Sequence, residues 1–252
     1  MKKISLPNNV FGRLIAEVVK TKGYTTELLP SQSLMQAVLT DSVDAGFVPS
    51  LELIKHNEEV FTSGTLGITF EEGCSNLFLY FNNSTSLDEI TLVGDVSVNE
   101  AILVKTLIKE KYDVDTTLAL APSYSTSQMN SVVVGDFNFS LGIIDFGIDL
   151  VEQIVDEIEL PYLAYVFVSK DEELLKEINR RLVSTTEEVR DRAESYIQSL
   201  TLREEVKDYL LTAFDSLVID LDEGDNEGLK ALLRIPYFHG MVEEITEVKH
   251  IN

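Results

Sequence analysis

Uncharged hydrogen-bonding side chains recur at the ends of predicted strands and at the starts of predicted helices. Hydroxyl and amide groups in such places can hold the polar groups of a small molecule. The residues concerned are Asn8, Asn9, Ser50, Ser75, Asn76, Ser97, Asn99 and Asn138. Main-chain N–H groups at the helix starts after Asn9 and Ser97 favour an anionic ligand. The pattern indicates a site for a small carboxylate if the fold brings these chain ends together.

The segment 69–81 joins a small polar loop to an apolar, aromatic-rich run typical of a buried strand. Gly73, Ser75 and Asn76 lie at the mouth of that strand, where ligands commonly bind in α/β proteins. The same residue types are also ordinary turn formers. Cys74 is the one cysteine of the chain. We interpret it as a small packed residue rather than a nucleophile, because no neighbouring base is visible.

A second buried strand, 132–134, runs into Gly135 and Asp136. Asp136 is predicted either to contact a ligand, as a base or a binding group, or to cap the loop that follows, and the sequence favours neither. The histidines have no metal-ligand spacing, and nucleotide- and phosphate-binding glycine motifs are absent. The sequence therefore predicts neither a metal nor a cofactor.

Composition restricts the function classes. The chain has 252 residues and a formal charge of −23, with 20 Lys+Arg against 43 Asp+Glu. Such an excess of acidic residues argues against nucleic-acid and anionic-membrane partners. One cysteine cannot form an internal disulfide. The first residues resemble no signal peptide, and no apolar run approaches the ~20 residues of a membrane span, so we expect a cytoplasmic protein. Its oligomeric state is not predicted.

Strand and helix patterns alternate along the chain, which predicts parallel sheets covered by helices. The pattern runs through residue 81, breaks in a polar stretch and restarts near residue 90. A long, charged, helical segment follows from residue 171, and the acidic stretch 223–228 is predicted to be a loop. We therefore expect two lobes with a ligand cleft between them, residues 1–84 plus 169–252 forming lobe 1 and residues 85–168 forming lobe 2.

Several segments in this order resemble one known family. They are Ile4-Ser5-Leu6-Pro7-Asn8, the stretch 44–52, Leu66-Gly67-Ile68, Ser75 entering its strand, Val134-Gly135-Asp136, Leu160-Pro161-Tyr162 and the helix near 229–234. Together they resemble the chorismate dehydratase branch of the type 2 periplasmic-binding-protein-like superfamily. The resemblance covers nearly the whole chain. It implies a two-lobed α/β fold whose lobes each contain a mainly parallel sheet, with a C-terminal helical tail on the first lobe.

The resemblance also implies an activity. Members of that branch are hydro-lyases of the futalosine route to menaquinone that convert chorismate to 3-enolpyruvylbenzoate. Their active-site asparagine and serine correspond here to Asn8, with Asn9 as the alternative register, and to Ser75. The other residues that we expect to bind a ligand in the cleft are Asn9, Ser50, Gly73, Asn76, Ser97, Asn99, Gly135 and Asp136. Glu100, at a helix start of the second lobe, would repel a dicarboxylate at short range.

Two other functions stay open at this point. The same fold serves non-catalytic proteins that bind a different small molecule, and a related chain with an occluded cleft would act through interactions instead. Turnover of chorismate distinguishes the first possibility from the second. Stabilisation by a ligand without turnover is expected of the second.

Overall fold

The structure is a computed structural model that describes residues 1–71, 73–81, 86–125, 130–142 and 144–251. Its strands are Lys3–Pro7 (β1), Thr25–Leu29 (β2), Ala45–Pro49 (β3), Phe61–Phe70 (β4), Leu77–Tyr80 (β5), Glu89–Gly94 (β6), Thr117–Ala121 (β7), Ser131–Val134 (β8), Ile148–Asp149 (β9), Tyr162–Ser169 (β10), Leu217–Asp220 (β11) and His250–Ile251 (β12). No helix among these residues is long and apolar enough to cross a bilayer.

The helices lie between and after these strands. They are Val10–Thr21 (α1), Ser31–Leu39 (α2), Leu53–His56 (α3), Val98–Tyr112 (α4), Phe137–Leu141 (α5), Leu150–Ile158 (α6), Glu172–Arg181 (α7), Thr185–Ser199 (α8), Glu204–Ser216 (α9) and Glu223–Phe238 (α10). Short 3₁₀ turns occupy Ser50–Glu52 and Ile144–Phe146. The long charged segment predicted to be helical forms three helices, α7 to α9.

In the part of the chain that the structure describes, the strands form two sheets. The first has seven strands in the order β11-β4-β10-β3-β1-β2, with β12 beside β4. The second has five strands in the order β7-β6-β8-β5-β9. Lobe 1 denotes the seven-stranded sheet with the helices packed on it, and lobe 2 denotes the five-stranded sheet with α4 to α6.

Both sheets are mixed. The strand–helix alternation predicts the parallel pairs of β1 with β2 and β3, and of β6 with β7 and β8. A further parallel pair joins β12 to β4. Antiparallel strands extend both sheets, because β10 pairs with β3 and β4, and β5 pairs with β8 and β9. The mainly parallel sheets implied by the resemblance are therefore corrected to mixed ones.

Two strands lie in a different sheet from the one that the predicted division gives them. β5 precedes residue 84 but pairs with β8 along its whole length, from Leu77 opposite Val134 to Tyr80 opposite Ser131. β10 precedes residue 169 for most of its length but lies between β3 and β4 in the first sheet. The chain therefore crosses between the sheets after β4 and again before β10. A short apolar run does not specify its partner strand, so the sequence could not place these two.

The stretch 223–228 is helical, which corrects its prediction as a loop. Asp222 accepts a hydrogen bond from the main-chain nitrogen of Asp225 at 3.1 Å, and Asp225 accepts one from the nitrogen of Asp222 at 2.9 Å. This reciprocal capping box starts α10. Gly228 is required here because a Cβ atom would lie 2.2 Å from the carbonyl oxygen of Pro161. An acidic, glycine-containing stretch therefore begins a helix.

Candidate ligand-binding cleft

A cavity of about 20 Å³ lies where the two lobes meet. Its lining comes from both sheets and their helices: Pro7, Asn9, Phe11, Ile68, Phe70, Tyr162, Ala164 and Tyr165 of lobe 1, and Asn76, Leu77, Asn99, Glu100, Val134 and Val151 of lobe 2. A volume of this size admits about one water molecule. The lobes are therefore closed directly onto each other, and three sets of hydrogen bonds join them around this cavity.

The first set joins lobe 2 to the start of α1. Gly135 follows β8 and has a φ of +87°, a backbone conformation that glycine adopts without strain, and Asp136 comes next. One carboxylate oxygen of Asp136 accepts a hydrogen bond from the main-chain nitrogen of Val10 at 2.8 Å, and the other accepts from the Arg13 guanidinium. Asn9 caps the same helix by accepting from the nitrogen of Gly12 at 2.9 Å. A carboxylate of lobe 2 thus satisfies a helix start of lobe 1.

The second set has the same form at α2. Asp95 follows Gly94, which ends β6 with a φ of +100°. The Asp95 carboxylate accepts hydrogen bonds from the main-chain nitrogen of Ser31 at 2.8 Å and from its hydroxyl at 2.6 Å. Pro30 precedes this helix and provides no side-chain cap. Asp95 therefore replaces the missing local cap from the opposite lobe.

The third set centres on Asn99, which is buried in the first turn of α4. Its amide oxygen accepts from the main-chain nitrogen of Leu51 at 2.9 Å, in the 3₁₀ turn after β3. Its amide nitrogen donates to the carbonyl oxygen of Ala164 at 2.8 Å and to the hydroxyl of Tyr162 at 3.2 Å. The chain connections after β1, β2 and β3 therefore each receive a polar side chain from lobe 2.

Electrostatics in the cleft are dominated by acidic groups. Glu100 is buried and lines the cavity. It accepts hydrogen bonds from the main-chain nitrogen and the hydroxyl of Ser97, both at 2.6 Å. Burial raises the pKa of Glu100 because the charged form loses hydration, although the two hydrogen bonds act in the opposite direction. Arg13 is the cationic member of the contacts across the cleft, against the carboxyl groups of Asp95, Asp136 and Glu100.

Two tyrosines provide neutral hydrogen-bonding groups on the lobe 1 side. The hydroxyl of Tyr165 lies 2.8 Å from that of Ser31. Burial, together with the nearby Glu100 and Asp95, raises the pKa of Tyr165 well above its usual value. Burial likewise raises the pKa of Tyr162. Both phenols therefore stay protonated at physiological pH. Because the Ser31 hydroxyl donates to Asp95, the Tyr165 hydroxyl donates to Ser31, whereas the Tyr162 hydroxyl can donate to an acceptor in the cleft.

Ser75 belongs to a separate cluster where the chain passes from lobe 1 to lobe 2. Its hydroxyl donates to one oxygen of the Asp149 carboxylate at 2.9 Å, and its main-chain nitrogen donates to the other at 2.8 Å. The same hydroxyl accepts from the main-chain nitrogen of Leu77 at 3.0 Å. The Tyr209 hydroxyl lies 2.8 Å from the Ser75 carbonyl oxygen and 3.0 Å from Asp149. Ser75 is fully buried, and its hydroxyl is engaged as donor and as acceptor within the protein.

The structure brings together some of the predicted site residues. Asn9, Asn76 and Asn99 line the cavity, Asp136 bridges to α1, and Gly135 lies beside Asp95 because a Cβ atom there would be 3.5 Å from the Asp95 Cβ. Asp136 does not use its side chain to cap the segment that follows it, which was one of the two alternatives. Its carboxylate instead caps α1 of the other lobe.

Other predicted residues lie outside the cavity. Asn8 is exposed, and its amide oxygen accepts from Arg13 at 3.4 Å. Ser50 is buried and donates to the carbonyl oxygen of Leu163, while Ser97 caps α4. Gly73 lines a different pocket, with Cys74, Asp149 and Tyr209. The hydroxyls of Ser50, Ser75 and Ser97 are thus taken up by protein partners rather than directed into one cleft.

Sequence reasoning missed Arg13, Ser31, Asp95 and Tyr165, all of which take part in the contacts between the lobes. One signal for Asp95 was present. The tripeptide Val-Gly-Asp occurs at 93–95 and again at 134–136. Both copies end neighbouring parallel strands, β6 and β8, so the two carboxylates emerge from the same edge of the lobe 2 sheet.

Solved structures share this fold over nearly the whole chain. The protein AF1704 of Archaeoglobus fulgidus matches with a TM-score of 0.71 and 12% identity, over 95% of this chain and 98% of its own. The periplasmic aliphatic sulphonate-binding protein SsuA of Escherichia coli matches with a TM-score of 0.65 and 10% identity, over 100% of this chain and 93% of its own. A Candida albicans protein described as having the generic periplasmic-binding-protein fold, CA3427, matches with a TM-score of 0.64 and 11% identity, over 100% and 97%.

These likenesses identify the fold. The chain has the two-lobed, type 2 periplasmic-binding-protein-like fold predicted from its sequence, with the cleft between its two sheets. No protein-family model matches the sequence, and no curated protein matches it. At 10 to 12% identity, the solved structures share the architecture without specifying a ligand.

Proposed function

We propose that this protein binds a small molecule carrying a carboxylate in the cleft between its lobes. One observation carries the proposal. The main-chain N–H groups at the starts of α1 and α2, on Val10 and Ser31, already hold carboxylates, and those carboxylates come from the opposite lobe. The lobe 1 face of the cleft is thus suited to carboxylate recognition through N–H and O–H donors and the Arg13 guanidinium.

Binding requires the lobes to separate, because the closed cleft retains only about 20 Å³. We propose that lobe 1 comprises residues 1–71 and 162–251, that lobe 2 comprises residues 77–158, and that the two crossings between them act as the hinge. Domain closure around a ligand by bending at such crossings is a common motion of two-lobed binding proteins. The predicted cytoplasmic location stays a prediction.

Proteins of the same fold support an anionic ligand. The Escherichia coli neighbour is described as binding aliphatic sulphonates, and a Xanthomonas alkanesulfonate-binding neighbour was solved with the sulfonate buffer MOPS bound. A sulfonate and a carboxylate present similar acceptor oxygens to N–H donors. For this chain we infer only that its ligand is anionic, since its sequence identity to these neighbours is 10 to 12%.

Thermal unfolding with a panel of small carboxylates tests the proposal. A ligand at 100 times its Kd stabilises the folded state by about 2.7 kcal/mol, so binding should raise the Tm measurably. Primary amides of the same acids serve as matched ligands without charge, and they should stabilise the protein less. The variant Ser31→Ala removes one donor to the carboxylate and should weaken binding. Absence of any shift across the panel would overturn the proposal.

A finer candidate is the activity that the sequence resemblance implies, a carbon–oxygen lyase converting chorismate to 3-enolpyruvylbenzoate for menaquinone synthesis. The observation in its favour is the position of Asn8. Its amide oxygen accepts from Arg13, which contacts Asp136 across the cleft, so an amide lies within reach of the carboxylate-binding network. In this candidate Asn8 would position the leaving hydroxyl, and Ser75 would act only if the Asp149 contact opened.

The decay of chorismate absorbance at high protein concentration tests this candidate. Asn8→Ala should abolish turnover if Asn8 positions the substrate, whereas Asn57→Ala, a change at a partly exposed asparagine of lobe 1, should not. If chorismate raises the Tm but is not consumed, the protein binds it without catalysis, and the lyase candidate fails while the binding function stands.

A further inference from the structure

The faces that meet in the closed cleft have opposite polarity. Lobe 1 presents donors, namely the main-chain nitrogens of Val10, Ser31 and Leu51, the Ser31 hydroxyl and the Arg13 guanidinium. Lobe 2 presents acceptors, namely the carboxylates of Asp95 and Asp136 and the amide oxygen of Asn99. The exception is the Asn99 amide nitrogen, which donates to the Ala164 carbonyl and the Tyr162 hydroxyl of lobe 1. The lobe 1 donors and the lobe 2 acceptors are joined directly, at 2.6 to 2.9 Å for every pair except the still shorter Arg13 contact. Asp95 and Asp136 thus occupy the positions that a ligand's carboxylate would take.

We propose that the ligand is a small zwitterion, a molecule with a carboxylate for lobe 1 and a protonated primary or secondary amine for lobe 2. The inference rests on the proposed function and names the class of molecule bound. A ligand that inserts between the lobes separates each of these pairs. Its carboxylate then accepts from freed donors of lobe 1, and its ammonium N–H groups donate to the freed carboxylates of lobe 2.

A simple dicarboxylate does not fit the same cleft. Once displaced from lobe 1, Asp95 and Asp136 would face the second carboxylate of the ligand, with the buried Glu100 nearby. Like charges at contact distance repel strongly where solvent is largely excluded. Arg13 is the cation within these contacts, and it can neutralise one anionic group only. A net charge of −23 on the chain adds to the repulsion.

A molecule with a carboxylate alone leaves the other face unsatisfied. Closing the lobes over it would bury two carboxylates without hydrogen-bond donors, which costs far more than leaving them hydrated. An amine alone leaves the N–H groups of Val10 and Ser31 without acceptors. A ligand with both groups places an acceptor against the donors of lobe 1 and a donor against the carboxylates of lobe 2.

Matched sets of ligands provide the test. Each set contains an amino acid, the acid lacking its amine and the amine lacking its acid, for example 4-aminobutyrate, butyrate and propylamine. The common α-amino acids and the ω-amino acids from glycine to 5-aminovalerate cover different separations of the two charges. Calorimetric titration and Tm shifts should show at least one amino acid binding ten times more tightly than its matched acid and its matched amine.

The other outcomes are distinguishable. An acid without an amine that binds as tightly as its amino acid overturns this inference and leaves the carboxylate-binding function standing. A panel in which nothing binds overturns both. Tight binding of dicarboxylates in preference to amino acids also overturns the zwitterion assignment alone.

Charge-removing variants test which residues meet the amine. Asp95→Asn and Asp136→Asn keep the size of each side chain and remove its charge. Each should weaken the binding of the amino acid at least tenfold and should strengthen the binding of the matched acid, because one carboxylate that would be buried without a donor is neutralised. Asp145→Asn, at an exposed position of lobe 2, should change neither affinity. Circular dichroism establishes that the variants are folded, and unchanged amino-acid affinity in the folded Asp95→Asn and Asp136→Asn proteins overturns the inference.

Discussion

Asp136 accepts a hydrogen bond from the main-chain nitrogen of Val10 at 2.8 Å, although 126 residues separate the two in sequence. The contact places a carboxylate of lobe 2 at the helix start where lobe 1 would hold a ligand's carboxylate. Asp95 and Ser31 repeat the arrangement one strand away. The lobes are therefore closed through the same donors that the proposed ligand would use, so the ligand competes with the contacts between the lobes.

The first prediction concerns the stability contributed by Asp136. Asp136→Ala leaves the Val10 nitrogen and Arg13 without this partner, and we expect the free energy of unfolding to fall by about 1–2 kcal/mol. For a chain of this size that corresponds to a Tm decrease of roughly 2–8 °C. Asp136→Asn keeps one acceptor oxygen and should lower the free energy of unfolding by less than Asp136→Ala. Urea titration of the three proteins measures the difference.

The control for this change is Asp145→Ala, because Asp145 is an exposed aspartate of the same lobe. Its stability should stay within about 0.5 kcal/mol of the parent protein, as is usual for surface changes. Small-angle scattering adds a readout of lobe closure. A larger radius of gyration is expected for Asp136→Ala and not for the control, and equal radii would contradict a role for Asp136 in closure.

The second prediction concerns Asn99, whose buried amide makes three hydrogen bonds to lobe 1. Asn99→Ala leaves the Leu51 nitrogen and the Ala164 carbonyl unpaired, at a cost of about 1–3 kcal/mol. Asn99→Asp keeps the acceptor for Leu51 but turns a carboxylate oxygen toward the Ala164 carbonyl, and we expect a larger loss of about 3 kcal/mol or more at pH 7. Its destabilisation should shrink as the solution is acidified toward pH 4, where the new carboxyl group can be protonated.

Asn57→Asp is the matched change for Asn99→Asp. Asn57 follows α3 and donates to the Glu247 carbonyl at 3.2 Å from a partly exposed position, so water can replace the lost donor. The difference in unfolding free energy between Asn57→Asp and the parent protein should change little between pH 4 and pH 8. If Asn99→Asp were no less stable than Asn57→Asp at pH 7, the buried amide would not be holding the lobes together.

The third prediction uses two glycines in first helical turns. A Cβ atom on Gly12 would lie 2.0 Å from the carbonyl oxygen of Pro7, where α1 begins directly after β1. Gly12→Ala should therefore destabilise the protein by about 1–3 kcal/mol despite the better helix propensity of alanine. In Gly224→Ala, at the start of α10, the nearest atom to the new Cβ is a carboxylate oxygen of Asp222 at 3.2 Å. A small adjustment of that side chain suffices, and a gain of about 0.5–1 kcal/mol is expected.

Opposite signs for the two alanine variants in urea titrations are the expected result. The comparison is matched because the same substitution is made in the first turn of a helix in both cases. Equal stabilisation by both changes would contradict the close approach of α1 to β1. It would then also contradict the placement of Asn9 and Val10 at the start of α1.

The fourth prediction is a pH dependence that originates at Glu100. Burial raises the folded-state pKa of this carboxyl group. The protonated group is therefore compatible with the folded state below the unfolded-state pKa of about 4.3, and the protein loses stability as the pH rises through the folded-state pKa and the group ionises. Both hydrogen bonds from Ser97 end on one oxygen, Oε2, which a glutamine oxygen can replace. Glu100→Gln should therefore be more stable than the parent at pH 8, and the difference should vanish near pH 4.

Denaturant titrations at several pH values measure this effect. Glu17→Gln, an exposed change on α1, should give a curve parallel to that of the parent protein. A Glu100→Gln protein that is less stable than the parent at pH 8 would contradict the prediction, because it would mean that the carboxylate is stabilised by its surroundings.

Much of the fold could be predicted from local patterns. The order β1-α1-β2-α2-β3, the helices after residue 171 and the two-lobed class follow from apolar periodicity and from helix-starting residues such as Asn9, Ser97 and Asp171. These features depend on neighbours a few residues away. The α10 start was misassigned because glycine and acidic residues suggested a loop, although Asp222 and Asp225 have the spacing of a capping box.

Partners far apart in sequence could not be predicted in the same way. The sequence placed Asn99 and Asp136 among the candidate binding residues and left Arg13, Ser31 and Asp95 unremarked. Local sequence and the resemblance both indicated Ser75 as an active-site residue. Its hydroxyl instead donates a hydrogen bond to Asp149 where the chain crosses between the sheets. Whether a hydroxyl faces a ligand or a protein carboxylate depends on which strands pair, and strand pairing has no local signature.

The sequence by itself determined the secondary structure around the cleft, the polar side chains that follow its strands, and the acidic excess of the chain. Only the tertiary structure decided that β5 belongs to the second sheet, that β10 belongs to the first, and that Asp95 and Asp136 meet the N–H groups of Ser31 and Val10. The physical reason is that helix starts and turns are satisfied locally, whereas a hydrogen bond between lobes depends on the relative placement of two separately formed sheets.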